Sequence, residues 1–168
     1  MIVLKDVSFQ YEGCEEGVHG IDLTVCDGEC VVLTGPSGGG KTTLTRLLNG
    51  LAPSYYQGTK KGDLWINYTE IASLPAWKIG QEIGSVFQDP KSQFFSSELA
   101  GEVAFACENY GMAKQEIRKR TDEAIASMGL ETLRARPLDV LSSGEKQRVA
   151  VASVYACLLY TSPSPRDS

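Results

Sequence analysis

Alternation between apolar and polar residues, together with a few short apolar runs, predicts that the first half of the chain is rich in β-strands. In the first alternating stretch Val3, Val7 and Phe9 are apolar, as expected for a strand that buries one face. Asp27-Gly28 is a hairpin-turn signal between the second stretch and the third. The predicted strands cover residues 1–11, 18–25, 29–34, 63–68 and 83–87.

Helical spacing replaces this pattern in most of the second half. Apolar residues there recur three or four positions apart, which is typical of helices that bury one face. Strands followed by a block of helices predict an α/β fold in which a helical insertion follows a core that contains the strands. The predicted helices cover residues 41–48, 97–109 and 114–128, and a last one opens at the serine-rich turn at 142–144 and runs to about residue 156.

A glycine-rich turn between the third predicted strand and the first predicted helix carries the clearest chemical signal. Residues 35–42 fit the phosphate-binding pattern G-x-x-x-x-G-K-[S/T] at every fixed position. Glycines allow backbone N–H groups to surround an anion, and the following helix N-terminus favours negative charge. Lys41 is expected to bind the β and γ phosphates, and Thr42 to ligate Mg²⁺. The expected nucleotide-binding residues of this loop are Gly35, Pro36, Ser37, Gly38, Gly39, Gly40, Lys41, Thr42 and Thr43.

Composition narrows the class of protein. The chain has 168 residues, 42% of them hydrophobic and 22% charged, which suggests one ordinary globular domain. A net charge of −5 without a basic patch argues against a nucleic-acid partner. We recognise no signal peptide and no apolar run long enough to span a bilayer. Cys26 and Cys30 lack a second pair or a nearby histidine, so they predict no metal site, and the scattered cysteines fit a reducing cytosol.

A second turn that suits an anion opens the last predicted helix. Residues 141–148 read Leu-Ser-Ser-Gly-Glu-Lys-Gln-Arg, and a serine-rich helix N-terminus either binds an anion or is simply capped by its serine. Together with the phosphate loop, this stretch resembles the signature motif of ATP-binding cassette (ABC) ATPases, usually written LSGGQ. Ser143 replaces the first glycine of that motif, and Glu145 replaces its glutamine. The residues expected to contact ATP held by a second subunit are Leu141, Ser142, Ser143, Gly144 and Glu145.

The resemblance assigns roles to two further residues. Tyr11 stands where ABC ATPases carry an aromatic residue that stacks on adenine, although a strand-end tyrosine is the alternative. Gln88 matches the Q-loop glutamine, which contacts Mg²⁺ and the attacking water and couples to the membrane subunit; a simple turn residue is the alternative. The resemblance therefore implies Lys41 and Gln88 as catalytic residues, and Thr42 and Gln88 as Mg²⁺ ligands.

A narrower resemblance covers residues 85–111, including Phe87-Gln88-Asp89-Pro90. This stretch is similar to the ATPase subunits of energy-coupling factor (ECF) transporters, which import vitamins, cobalt and nickel. The similarity implies ATP and Mg²⁺ as cofactors, a second ABC ATPase subunit in a homodimer or heterodimer, an integral membrane transporter subunit as partner, and a peripheral location at the cytoplasmic face of the cell membrane.

Two other classes are weaker alternatives. A soluble ABC ATPase of DNA repair or the ribosome would carry coiled coils or basic insertions before its signature, and here only about fifty residues, without heptads or a basic cluster, separate Gln88 from Leu141. A small-molecule P-loop kinase would not need the signature helix.

The resemblance to ABC ATPases stops after Ala156. It implies an apolar strand ending in Asp-Glu and then a switch histidine, but neither follows, and the only histidine, His19, precedes the phosphate loop. Residues 157–168 instead resemble the translation of a transposase sequencing adapter. We therefore expect a P-loop NTPase core sheet with N-terminal antiparallel strands and a helical signature subdomain, incomplete at the C-terminus and deficient in hydrolysis. The expected parts are a partial ABC ATPase domain at 1–156, comprising a nucleotide-binding core at 1–88 and a Q-loop and helical signature region at 89–156, and a non-native tail at 157–168.

Overall fold

A computed structural model describes residues 1–89 and 93–158. The chain divides into two compact units, Met1–Ile83 and a second unit that begins at Gly84. Each unit has its own cluster of buried apolar side chains. Strands lie in the first unit and long helices in the second, so the α/β class with antiparallel N-terminal strands is confirmed.

The first unit contains a four-stranded antiparallel sheet in the order β2-β1-β3-β4. Its core lies between this sheet and the first helix, where Leu4, Phe9 and Leu64 meet Leu44 and Leu47. The strands are β1 (Ile2–Tyr11), β2 (Gly17–Val25), β3 (Gly58–Ile66) and β4 (Thr69–Glu70), and the helices are α1 (Lys41–Leu48), α2 (Leu51–Ser54) and α3 (Ala76–Glu82).

The register of β1 with its two neighbouring strands explains why strands form in three of the predicted regions. Leu4 is opposite Leu23 on one side and Leu64 on the other, so the apolar positions of three strands share one face. The strand predicted at 63–68 begins earlier, at Gly58, because residues 58–61 also pair with β1, and it ends at Ile66. Pairing with a neighbouring strand thus overrides the weak local pattern there.

Two predicted strands are wrong. Residues 29–34 and 83–87 have no regular secondary structure, because within the described ranges no other segment supplies the ladder of hydrogen bonds that a strand requires. The hairpin predicted at Asp27-Gly28 is therefore only a turn, in which the Glu29 N–H donates to the Cys26 carbonyl at 3.1 Å.

In the described part of the second unit, two short 3-10 helices, Glu131–Leu133 and Leu138–Val140, lie between the second and third of three α-helices. The α-helices are α4 (Leu99–Asn109), α5 (Lys114–Ser127) and α6 (Ser143–Leu158). They pack around a common apolar core that includes Leu99, Val103, Ile125 and Val149. All three were predicted within two residues at each end, and α6 continues through Leu158, past the expected boundary at 156. Across the part of the chain that the structure covers, no helix is long and apolar enough to cross a membrane.

Candidate functional site

The phosphate loop connects β2 to α1 and ends at a glycine that also caps the helix. Gly40 is the N-cap of α1, with φ 79° and ψ 0°, and its carbonyl accepts the first helical hydrogen bond, from the Leu44 N–H at 2.9 Å. Gly38 adopts φ 81°, a left-handed conformation that side chains with a Cβ rarely adopt. Two glycines of the loop therefore adopt the left-handed conformation that glycine favours, and the loop leads directly into the N-terminus of α1.

The Lys41 side chain lies within the phosphate loop and contacts two of its carbonyl groups. Its Nζ donates hydrogen bonds to the carbonyl oxygens of Gly35 at 2.9 Å and Pro36 at 2.6 Å. Residues 31–39 are exposed to solvent, so an ammonium group and the α1 N-terminus are both accessible to an anion. The Lys41 ammonium is thus held within the loop by two carbonyl groups, and its contact with phosphate stays a prediction.

Tyr11 ends β1 beside the same helix. Its hydroxyl donates to Thr43 Oγ1 at 3.2 Å and accepts from Arg46 Nη1 at 2.9 Å. Its ring packs edge-on against Phe9, with 5.0 Å between ring centroids. Tyr11 also forms part of the wall of an open cavity of about 690 Å³ that is lined by residues 10–15 and by Gly58 and Thr59. The structure therefore brings the predicted base-stacking residue to the helix that follows the phosphate loop.

Arg46 is a functional candidate that sequence reasoning missed. Its hydrogen bond to Tyr11 holds the pKa of the guanidinium above its usual value, and the group also lies over the ring of Tyr56 at 3.8 Å from the centroid. The available signal was helical spacing, because Thr43 and Arg46 are three residues apart and share a face of α1. Tyr56 supplies the ring over which the guanidinium lies.

The serine-rich turn at the start of α6 forms a capping box. The N–H and the hydroxyl of Ser142 donate to Glu145 Oε2 at 2.7 and 2.6 Å, and the Glu145 N–H donates back to Ser142 Oγ at 3.3 Å. These hydrogen bonds hold the pKa of Glu145 below its usual value. Leu141 is buried, whereas Ser143 and Gly144 are exposed at the turn. Ser142 thus caps the helix in this structure, and its contact with a nucleotide stays a prediction.

Two polar contacts, one from a buried lysine and one from an exposed arginine, hold this turn and the start of α6. Lys146 is 6% exposed and its Nζ donates to the Asp139 carbonyl at 3.0 Å. Arg148 Nη1 donates to the Met128 carbonyl at 3.2 Å, just beyond the end of α5. Both side chains therefore attach the serine-rich turn and the start of α6 to neighbouring segments of the second unit.

Gln88 lies in an exposed bend of the second unit. The segment before it is held by Gln93, whose side chain accepts from the Phe87 N–H at 3.2 Å and donates to the Ser85 carbonyl at 3.1 Å. Residues 90–92 of the ECF-like stretch lie outside the described residues. The role of Gln88 toward Mg²⁺ and water stays a prediction, and Gln93 is a supporting residue that the sequence pattern did not reveal.

Glu102 holds the segment that lies just before α4. It is 4% exposed, and its Oε2 accepts hydrogen bonds from the N–H groups of Phe95 and Ser96, both at 2.8 Å.

Among the residues that the structure describes, no group of three or more His, Cys, Asp or Glu side chains could hold a metal ion. The expectation that Thr42 and Gln88 ligate Mg²⁺ stays a prediction.

The chain is similar to many ABC transporter proteins. A family model described as ABC transporter matches residues 18–158. An ABC transporter ATP-binding protein of Treponema denticola is 43% identical over 155 residues, covering 92% of this chain and 32% of that protein. A protein of the same description from Caldanaerobacter subterraneus subsp. tengcongensis is 40% identical, over 94% of this chain and 28% of the relative. The chain thus spans about a third of the length of these curated relatives.

A solved structure gives the same result for the fold. The structure of cbiO1 from Clostridium perfringens, described as part of the ABC transporter complex cbiONQ, matches with a TM-score of 0.82 and 31% identity. The match covers 93% of this chain and 61% of that one. With the phosphate loop, the family match and this structural similarity in agreement, the chain belongs to the ABC transporter family, as an ATP-binding domain.

Proposed function

We propose that this chain is the ATP-binding part of an ABC importer of the ECF type. The observation that carries the proposal is the phosphate loop, in which Lys41 is already fixed at the N-terminus of α1. The ECF type is supported by the resemblance in residues 85–111 and by the similarity to cbiO1, a protein described as part of a transporter complex. The partners would be a second ATPase subunit and an integral membrane subunit, at the cytoplasmic face of the membrane.

The loop residues have separate tasks in binding the nucleotide. The Lys41 ammonium exchanges its two carbonyl contacts for oxygens of the β and γ phosphates, and backbone N–H groups of the loop complete the anion site. The Thr42 hydroxyl is an exposed oxygen at the helix start, which suits Mg²⁺ because that ion is commonly held by few protein oxygens together with substrate phosphates. Mg²⁺ would neutralise charge on the phosphates, and Gln88 would orient water beside them.

The turn at the start of α6 would act on a different ATP molecule. In a dimer, Ser142 and Gly144 of one subunit would contact the nucleotide bound to the phosphate loop of the other. Dimer closure upon ATP would then be transmitted to the membrane subunit. We also propose that the 168-residue chain binds ATP without turning it over, because the sequence after Ala156 contains no Asp-Glu pair to supply the general base.

Calorimetric titration of ATP into the chain tests the binding site. Lys41→Ala is expected to weaken ATP binding roughly tenfold to a hundredfold, since one charge-assisted contact to phosphate is worth about 1.5–3 kcal/mol. Lys119→Ala is the matched control, because Lys119 is exposed on α5 in the second unit. Unchanged affinity in Lys41→Ala would contradict the phosphate-loop assignment.

Co-purification tests the importer role. A tagged chain isolated from its source membranes in detergent is expected to retain an integral membrane protein. Retention of ribosomes or DNA-repair proteins instead would favour the soluble class of ABC ATPase.

A further inference from the structure

Arg46 connects the strand-end tyrosine to the phosphate-loop helix through contacts that are all within the first unit. Its Nη1 lies 2.9 Å from the Tyr11 hydroxyl oxygen, and its Cζ lies 3.8 Å from the centroid of the Tyr56 ring. The Tyr11 hydroxyl in turn donates to Thr43 Oγ1 at 3.2 Å. A directed series of hydrogen bonds therefore runs from Arg46 through Tyr11 to Thr43, two residues after the phosphate-loop lysine.

This series restricts the orientation of the Tyr11 ring. A tyrosine side chain has two main torsions, and fixing its hydroxyl at two partners while one ring edge packs against Phe9 leaves little freedom in either torsion. The guanidinium is itself oriented by its planar stack on Tyr56, which also meets Tyr11 edge-on at 6.4 Å between centroids. The Tyr11 ring is thus held at one wall of the open cavity beside β1 and β3.

We infer that Arg46 is a positioning residue for nucleotide recognition: it holds the Tyr11 ring where a nucleobase stacks and couples that ring to Thr43 of the phosphate-loop helix. The inference rests on the proposed function, since it requires that ATP binds at the loop. Arg46 acts on the base-binding end of the site, whereas Lys41 acts on the phosphates. A guanidinium suits this role because it offers a donor edge to the phenol and a flat face to Tyr56 together.

The test separates the base from the phosphates by comparing two ligands. Dissociation constants for ATP and for inorganic tripolyphosphate, which has no base or sugar, are measured by calorimetry on the 168-residue chain. Arg46→Ala is expected to weaken ATP about fivefold, the effect of about one lost hydrogen bond, and to leave the affinity for tripolyphosphate nearly unchanged. Arg46→Lys keeps a charge and a donor but loses the planar stack, so its ATP affinity is expected to fall between wild type and Arg46→Ala.

A double-mutant cycle shows whether Arg46 acts through Tyr11. Tyr11→Phe keeps the ring and removes the hydroxyl, so it should weaken ATP alone, as Arg46→Ala does, and the two effects should not add. Tyr11→Phe leaves the stack of Arg46 on Tyr56 in place, and so it tests the same hydrogen bond even if Arg46→Ala fails to fold. Arg118→Ala, at an exposed position on α5, is the control for loss of a positive charge.

The outcomes distinguish the inference from the proposed function. A wild-type chain that binds neither ligand would overturn both. Binding of both ligands, with Arg46→Ala weakening them equally or leaving ATP unaffected, would overturn only the positioning role. Fully additive effects of Tyr11→Phe and Arg46→Ala would also overturn it, because they would show that the arginine acts independently of the tyrosine.

Discussion

Two glycines of the phosphate loop differ in how much space their surroundings leave for a side chain. Gly38 and Gly40 have nearly the same left-handed backbone, with φ of 81° and 79°. A Cβ added at Gly38 would meet nothing within 4 Å among the atoms that the structure describes, whereas one at Gly40 would lie 2.4 Å from Cγ1 of Val18. The glycine at 38 is thus required by conformation alone, and the glycine at 40 by conformation and by close contact with β2.

We expect Gly40→Ala to destabilise the chain more than Gly38→Ala. Left-handed strain costs about 1–2 kcal/mol at either position, and overpacking against Val18 adds about 1–3 kcal/mol at residue 40. Urea denaturation measures both effects. Val18→Ala, introduced into Gly40→Ala, should recover part of the second cost; equal losses at 38 and 40 without such recovery would contradict the contact.

The capping box makes a second residue-scale prediction, on the pH dependence of stability. Hydrogen bonds from Ser142 hold the pKa of Glu145 below its usual value, with Arg148 and Arg136 contributing further. Such a carboxylate stabilises the folded state above its unfolded pKa of about 4.3 and loses this contribution as pH falls through the lower folded pKa. The melting temperature of wild type should therefore approach or fall below that of Glu145→Gln only in acid.

Thermal scans of the two proteins from pH 7 down to about pH 3 check this sign. Glutamine can still close a capping box, so the two proteins should differ by a constant amount at neutral pH. A difference that stays constant down to pH 3 would show that Glu145 is not held by Ser142 in solution.

At the scale of elements, local pattern predicts those whose pairing or packing partners are close in sequence. Alternation identifies β1 and β2, which pair with each other, and helical spacing identifies α4, α5 and α6, which share one core. It does not identify the first half of β3, because Thr59, Lys60 and Lys61 are polar and become a strand only by pairing with β1. It overpredicts 29–34, where an apolar run lacks a pairing partner in the described ranges.

The candidate site shows the same division. A pattern in consecutive residues reveals the phosphate loop and the Ser142 turn. Arg46, Gln93 and Glu102 have no such pattern, because their importance comes from the groups that the fold brings to them: Tyr11, the Phe87 N–H, and the N–H groups before α4.

Helix α6 allows the cap to be separated from a contact with nucleotide. Ser142→Ala should cost about 1 kcal/mol of stability through loss of the N-cap and weaken ATP-dependent dimerisation. Ser142→Arg should abolish the dimer, because its bulk would occupy the position of the partner's phosphate, while monomer ATP binding stays nearly intact. Size-exclusion chromatography with and without ATP measures both. An ATP-dependent dimer of Ser142→Arg would mean that the residue is only a structural cap.

At the scale of the whole molecule, each unit exposes an apolar stretch. In the first, Val31, Val32 and Leu33 are 41%, 77% and 42% exposed; in the second, Val86 and Phe87 are 44% and 47% exposed. Both stretches coincide with the strands that were predicted and are not formed. Exposed apolar segments readily associate with other chains.

We therefore expect the isolated 168-residue chain to bind a hydrophobic dye and to associate as its concentration rises. Val32→Asp should reduce both effects, whereas Val140→Asp, at a residue that is 63% exposed in the second unit, serves as the control for added charge. Dye fluorescence and light scattering are the measurements. A monomeric chain without dye binding would contradict this prediction.

The same chain should release no phosphate from ATP in the presence of Mg²⁺, because no Asp-Glu pair follows Ala156. A phosphate-release assay measures this, with Lys41→Ala as the control for a contaminating enzyme. Turnover in the wild type that disappears in Lys41→Ala would overturn the proposal that the chain only binds nucleotide.

The two carbonyl contacts of Lys41 have a thermodynamic consequence for whatever anion enters the loop. A mobile lysine loses up to about 2 kcal/mol of rotamer freedom when it is immobilised. Here Gly35 and Pro36 impose that order when the chain folds, so an arriving phosphate finds the ammonium already immobilised. Phosphate binding then replaces the two carbonyl oxygens by phosphate oxygens. Much of the entropy cost of ordering the lysine side chain has already arisen when the chain folds.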